Sequence, residues 1–343
     1  MEFDQFVIDE LRRVYGPDLQ DFLELIKRPP ERFYMRVNTA LADPERVARK
    51  IGAILDEDLE EALYFPVHCR DSLEPTGDVV MVDGPTAESV MQGANVYKPG
   101  IKEIRAKSRR VSVVGPGGVV VARGELVMSG GLMVKVTEPL CDVPAVRESR
   151  PFSQGLLFVQ GKPSQFVAHV VDPRPGELIV DATAAPGGKL SHLAQLEPRA
   201  KLVGFDRTQS KVSKLRENLS RLHLDVPVYR FDSRYLWESG LKDVDKILID
   251  PPCSALGLRP KLYDHKDKEH IIRLRNYQLQ FLEAAHRILR PGGELIYSTC
   301  TVTLLENEEV INDPRFELQH LIRFHPQVNG TGGFFIAKLK KRG

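Results

Sequence analysis

The sequence predicts an α/β fold: a mostly parallel sheet covered on both faces from about residue 151 onward, preceded by a small β-barrel or sandwich and an N-terminal α+β region. Three observations carry this. Short apolar strands alternate with amphipathic helical stretches through the second half of the chain. Residues 78–150 instead hold short β-rich runs broken by Gly and Pro. The 343 residues give room for two or three domains at about 150 residues each.

Residues 1–77 mix helical patterns with the acidic run Asp56-Glu57-Asp58-Leu59-Glu60-Glu61, expected to be a solvated helix face. This region is expected to pack on the catalytic domain. In residues 78–150 the runs DVVMVD, RRVSVVG, GGVVVARG and GLMVKVTE are expected as strands, with a short helix over Thr86 to Gln92. From 151 onward, strands are expected at Glu177–Asp181, Leu202–Asp206, Val226–Asp232, Lys246–Asp250 and Glu294–Thr299. Thr208 is the expected N-cap of a helix whose apolar face is Val212, Leu215, Leu219 and Leu222. Phe281, Leu282, Ala285, Ile288 and Leu289 repeat that spacing before an Arg290-Pro291-Gly292-Gly293 stop. Phe316 to Ile322 and Phe334 to Leu339 predict a terminal hairpin.

Composition excludes several classes. Lys plus Arg is 48 and Asp plus Glu is 47, a net charge of +1, so an anionic partner must be met by a local patch. One exists: Lys98, Lys102, Arg105, Lys107, Arg109 and Arg110 face a single acid, Glu103, within 13 residues. An exposed basic strand edge would look the same; Tyr97 beside it adds a surface on which a base could stack. Four cysteines without CxxC spacing exclude a disulfide scaffold and a Cys-rich zinc site, and are expected as reduced thiols. No metal site is expected. The opening MEFDQFVIDELRRVYG lacks the apolar core of a signal peptide, and no apolar run approaches the ~20 residues that span a bilayer. The expectation is a cytoplasmic protein with no membrane association.

Ligands of such sheets bind at the C-terminal ends of the strands. After the first strand comes Asp181-Ala182-Thr183-Ala184-Ala185-Pro186-Gly187-Gly188-Lys189, whose small residues let backbone approach a ligand. The next helix begins near Gly188, where its N-terminus can receive a carboxylate. Asp206, 19 residues past Gly187, ends the second strand and is placed for ribose hydroxyls. Asp232 ends the third and could meet an adenine edge. The G-x-G-x-x-G spacing of a nicotinamide dehydrogenase is absent. Together these point to an adenosine-bearing cofactor, most simply S-adenosylmethionine.

The fourth and fifth strands end in Asp250-Pro251-Pro252-Cys253-Ser254 and Ser298-Thr299-Cys300-Thr301. A single thiol is usually a small buried hydrophobe; two on the ligand edge suggest chemistry. Carbon 5 of cytosine is a poor nucleophile until a thiolate adds at carbon 6 and makes the ring enamine-like. An acid at ring nitrogen 3 and the amino group, here Asp250, stabilises the developing charge. A second thiol can assist release of the adduct. Strand order leaves open which thiol does which. DPP followed by an aromatic residue would instead suggest methylation of an exocyclic amine.

With these residues in place, the chain resembles the Nop/Sun family of RNA cytosine-5 methyltransferases from about Arg32 onward. The resembling segments are PERFYMRVNT, GLLFVQGKPSQFVAHVVDPRPGE, DATAAPGGKLSHLAQL, ILIDPPCSALGLRP, YSTCTVTLLENEE and RFHPQVNGTGGFFIAKL. Residues 78–150, with GANVYKPGI, resemble a PUA domain, and this insertion with GLRP resembles the branch acting on cytosine 72 of the tRNA acceptor stem. The resemblance implies a Rossmann-like catalytic domain, with Cys300 as nucleophile and Cys253 assisting release. It places Thr183, Ala184, Ala185, Pro186, Gly187, Gly188, Lys189, Asp206, Arg207, Asp232 and Asp250 around S-adenosylmethionine, with Lys189 and Asp250 also facing the target base. It implies that Tyr97, Lys98, Lys102, Lys107, Arg109 and Arg110 contact tRNA at its acceptor stem and CCA end, with no obligate protein partner. Another tRNA position, rRNA, or RNA binding without turnover are the alternatives. Thr183 stands where the family usually has Cys, Pro251 and Ala255 where Ala and Gly are common, and Glu309 to Phe316 is shorter than usual.

Overall fold

The computed structural model describes residues 2–343. Its largest sheet has seven strands: β1 (Leu178–Asp181), β2 (Lys201–Asp206), β3 (Val228–Arg230), β4 (Val244–Ile249), β5 (Leu289–Thr299), β6 (Phe316–Phe324) and β7 (Phe334–Lys341). They lie in the order β3-β2-β1-β4-β5-β7-β6. The first five are parallel; β7 runs antiparallel to both neighbours, which is the expected terminal hairpin. The anticipated stop at Arg290–Gly293 is instead taken into β5, which begins directly after the preceding helix.

Period-two alternation divides each strand between two cores. Val180, Ile247, Ile249, Leu295 and Tyr297 enter one core; Ile179, Leu248 and Ile296 enter the other. The first core is covered by α4 (Lys268–Ile288), through Phe281, Leu282, Ala285 and Ile288. The second is covered by α1 (Lys162–Val171), α2 (Gly188–Leu196) and α3 (Gln209–Arg221). The expected cap holds: Thr208 Oγ1 accepts from the Lys211 amide at 3.4 Å. Val212, Leu215, Leu219 and Leu222 are all buried. No helix is long and apolar enough to cross a membrane among the described residues.

Six strands between residues 79 and 139 form a separate sheet around their own core, which includes Val80, Val82, Val113, Val121 and Val134. The expected helix lies over Gly84–Val90. Cys69 and Cys141, expected as reduced thiols, are joined as a disulfide. The reason is local: they are opposite partners in an antiparallel bridge, with Cα atoms 4.0 Å apart. The four-stranded N-terminal sheet contains Arg32–Val37, Ile54–Leu55, Ala62–Pro66 and, from beyond the inserted unit, Leu157–Val159. The helices Gln5–Tyr15 and Leu19–Leu25 pack through Val7, Leu11, Leu19 and Phe22 onto Leu256, Ile271 and Val302.

The acidic run 56–61 is not a solvated helix face. Asp56 and Glu61 are buried, because cations and hydroxyls converge on them. Asp56 accepts from Tyr34 Oη at 3.0 Å and Lys162 Nζ at 2.8 Å. Glu61 Oε1 lies 2.6 Å from His169 Nε2 and 2.8 Å from His192 Nε2. Fully buried Arg36 donates to Gly188 O and Ser191 Oγ, joining this region to the start of α2. Burial lowers the Arg36 pKa to about 9, with Glu61 opposing.

Burial first, then the charge of Arg36, pushes His192 down to about 3. Between pH 6.5 and 3 the unfolded chain therefore binds a proton that the folded chain refuses, so acidification favours unfolding. Urea unfolding across pH 6.5–4.5 should lose stability at up to about 1.4 kcal/mol per pH unit from this residue. His192→Asn should flatten that slope by one proton; parallel slopes in the two proteins would contradict the account.

Candidate active site

Parallel strands in register end at one level, and this brings the expected residues together. Ile249 on β4 pairs with Tyr297 on β5, so Asp250 emerges beside Ser298. Ser298 Oγ donates to Asp250 Oδ1 at 3.2 Å. Lys189, in the first turn of α2, donates to Asp250 Oδ2 at 2.5 Å. Thr183 Oγ1 accepts from the Asp250 amide at 2.8 Å. Burial opposes charge on Lys189, but Asp250, and more weakly Asp181, hold its pKa above the usual value.

The two thiols meet just past these strand ends, with Cys253 Sγ 3.3 Å from Cys300 Sγ. Both are half-buried and free of disulfide bonds. The contact with Cys300 first, then burial and the charges of Glu306 and Asp250, pushes the Cys253 thiol up. The loop between them is tightly held. The Gly257 amide donates to Cys300 O at 3.0 Å and the Gly333 amide to Gly257 O at 2.7 Å. A Cβ on Gly257 would stand 2.2 Å from Gly333 O, so glycine is required by close backbone approach. Ala255, where the resembling family commonly has Gly, adopts φ +57°. Arg259 donates to four carbonyl oxygens, those of Leu25, Arg28, Pro29 and Thr331, and so straps this loop to the N-terminal helices.

Beside the thiols lies a cavity of about 370 Å³ lined by Thr183, Ala185, Asp206, Arg207, Asp232, Asp250, Cys253 and Cys300. A second cavity, about 230 Å³, shares Thr183, Ala185 and Asp250 and adds Ala184, Pro186, Gly188 and Lys189. Gly187 lines neither; at φ +110°, with a prospective Cβ 2.9 Å from Leu215 Cδ1, it makes the turn. The sequence passed over Tyr277 and gave Phe281 only as a core position, yet both line the first cavity. Their helical spacing from Ile288 was legible, but it signals core equally well. It also left Asp181 without a role; burial raises that carboxyl to about 7.

The expected RNA contacts stand apart from these cavities. Tyr97, Lys98, Lys102, Lys107, Arg109 and Arg110 are all exposed on the six-stranded unit. Arg105 of the same window is paired with Glu103. Glu61, His169 and His192 are the only grouping with metal-ligand geometry among the described residues. The buried guanidinium of Arg36 already supplies positive charge there.

The model of the 16S rRNA methyltransferase RsmB/F family matches residues 168–340. The chain belongs to this methyltransferase family, the Nop/Sun family its motifs resemble. A tRNA (cytosine(72)-C(5))-methyltransferase of Pyrococcus horikoshii is 35% identical, over 97% of this chain and 96% of its own. A mouse protein of that name, NSUN6, is 29% identical over 92% of this chain and 79% of its own. The crystal structure of NSun6 from Pyrococcus horikoshii with SFG, an S-adenosylmethionine analogue, superposes with a TM-score of 0.92. It is 33% identical, and the match covers 99% of each chain.

The methyltransferase uses S-adenosylmethionine, and the cavities fit it. Two carboxylates, Asp206 and Asp232, line the first cavity together with Tyr277 and Phe281, and Asp232 is paired with Arg234 at 2.6 Å. The start of α2 borders the second cavity, where free amides can receive a carboxylate. Asp206 is 5% exposed; its carboxylate accepts from the Ala185 amide at 3.3 Å and has Lys211 Nζ 3.7 Å away. Asp206→Ala should therefore weaken S-adenosylmethionine binding by roughly 10- to 100-fold, the range for a hydrogen bond to a charged group. Calorimetric titration checks this; an unchanged Kd would place the ribose elsewhere.

Proposed function

We propose that this methyltransferase modifies carbon 5 of cytosine 72 in the tRNA acceptor stem. The observation that carries the chemistry is the thiol pair, 3.3 Å apart, at the rim of the cofactor cavity and beside the Asp250–Lys189 pair. Methylation of an exocyclic amine needs neither thiol. The cofactor supplies an electrophilic methyl group when bound. Cys300 adds as thiolate to carbon 6 of the cytosine, giving carbon 5 the electron density to accept that methyl. Asp250, held by Lys189 and Ser298, accepts from the amino group, and the proton that nitrogen 3 takes up as the thiolate adds lies between that nitrogen and the carboxylate, offsetting charge on the ring. The carbon 5 proton then passes to solvent water, its bonding pair restores the carbon 5–carbon 6 double bond, and the carbon 6–sulfur pair returns to Cys300 as thiolate. Cys253 assists that release.

The substrate assignment rests on the whole-length relatives, whose names specify cytosine 72 of tRNA. The RsmB/F description favours a second substrate, 16S rRNA. The inserted six-stranded unit is taken as a PUA-like RNA-binding module over residues 78–150. Its exposed basic rim and Tyr97, 55% exposed, support contact with the single-stranded CCA end. The target base must leave its stack to reach the thiols.

Incubation with labelled S-adenosylmethionine and either total tRNA or 16S rRNA, followed by bisulfite mapping, should place the new 5-methylcytosine at position 72 of tRNA. Label confined to rRNA would overturn the substrate. Cys300→Ala should abolish transfer with RNA affinity nearly intact, whereas Cys253→Ala should accumulate a covalent protein–RNA band on a denaturing gel. Full turnover by the first variant, or no adduct with the second, would reverse those assignments. Neutralising Lys98, Lys102 and Lys107 should weaken RNA binding and reduce the slope of log K against log salt, because fewer counterions are released. An unchanged slope would put the patch off the RNA path.

A further inference from the structure

Behind the thiols lies a polar cluster that the chemistry above does not use. Its centre is Glu306, fully buried in the ENEE segment. Oε1 accepts from the Ser254 amide at 2.8 Å and from Gln278 Nε2 at 3.1 Å. Oε2 lies 2.5 Å from Ser254 Oγ, 3.0 Å from Thr303 Oγ1 and 3.3 Å from Thr301 Oγ1. Gln278 also donates to Pro252 O at 3.0 Å. The Tyr297 hydroxyl donates to Glu306 O at 2.8 Å, and Asn307 ties Thr299 Oγ1 to Thr301 O.

These partners are the chain neighbours of the thiols. Ser254 follows Cys253, Pro252 precedes it, and Thr299 and Thr301 flank Cys300. One carboxyl group therefore joins two loops that come from different strands. We infer that Glu306 is a positioning residue for both thiols: its buried carboxyl clamps the Cys253 and Cys300 loops in one register. The inference rests on the thiol chemistry proposed above. A buried carboxyl is costly unless fully hydrogen-bonded, and here five donors surround it.

Glu306→Gln preserves shape: its carbonyl oxygen can face the two obligate N–H donors while its NH₂ faces three hydroxyls that can rotate to accept. The clamp remains. Glu306→Ala removes it.

The test uses acceptor-stem RNA with 5-fluorocytosine at the target, whose C–F bond blocks release and traps the adduct. Glu306→Ala should trap about 100-fold more slowly, the cost of ångström-scale misplacement, with the Kd of S-adenosylmethionine within about twofold of wild type. Trapping at the wild-type rate overturns the clamp. Glu306→Gln, whose amide can meet the same five partners, should trap at close to the wild-type rate with an equal melting temperature. A folded glutamine variant that traps about 100-fold more slowly overturns the clamp, and this arm decides even where the alanine variant does not fold. If wild type itself traps nothing, the proposed chemistry fails and the clamp is judged separately. A dithiol-specific arsenical should then capture wild type, through a signal that Cys253→Ala abolishes, and should miss Glu306→Ala; capture of both overturns the clamp.

Discussion

The parallel pairing of β4 with β5 is the constraint on which the site depends. Parallel neighbours in register finish at the same height, so residues 47 positions apart in sequence, Cys253 and Cys300, come into contact without any long-range search by a flexible loop. The same register sets Ser298 against Asp250, and Asp250 within reach of Lys189 at the start of α2. The two thiols, Asp250 and Ser298 are thus mounted on sheet ends whose positions are fixed by two apolar cores, one on each face.

Polar groups then refine what the sheet sets coarsely. Asp250 is held on both oxygens, Arg259 spends its guanidinium on four carbonyls, and Glu306 gathers the loops behind the thiols. Each is a buried or half-buried group with its hydrogen-bonding capacity largely met, the condition under which burial of charge is tolerable. The N-terminal region uses the same device. Arg36 reaches across to Gly188 and Ser191 at the start of α2, so the turn before the cofactor cavity is braced from outside the catalytic sheet.

The catalytic half was legible in the sequence because its signals are local. Strand alternation, the Thr208 cap and the acids at strand ends all follow from residues near one another, and β1 to β7 lie close to where patterning puts them. What escaped depends on distant partners. The acidic run 56–61 looked like solvent-facing charge, since nothing nearby announces Lys162, His169 or His192. Cys69 and Cys141 lack any spacing signature; only the antiparallel bridge makes them neighbours. Tyr277 and Phe281 kept an ordinary core period while lining the cofactor cavity. Glu306 stood in a recognised segment, but its importance lies in five donors scattered over residues 254 to 303.

The strand Leu157–Val159 carries a topological consequence. It pairs with Arg32–Val37, so one small sheet is assembled from chain on either side of the inserted unit. The insert must therefore leave and return at nearly the same point, and the bridge His68–Cys69 to Cys141–Asp142 is the neck through which both strands of chain pass. Beyond the neck the unit touches the body where the Leu262 amide donates to Glu88 at 2.8 Å. Away from that contact, chain can be added or removed without re-registering a single strand of the scaffold.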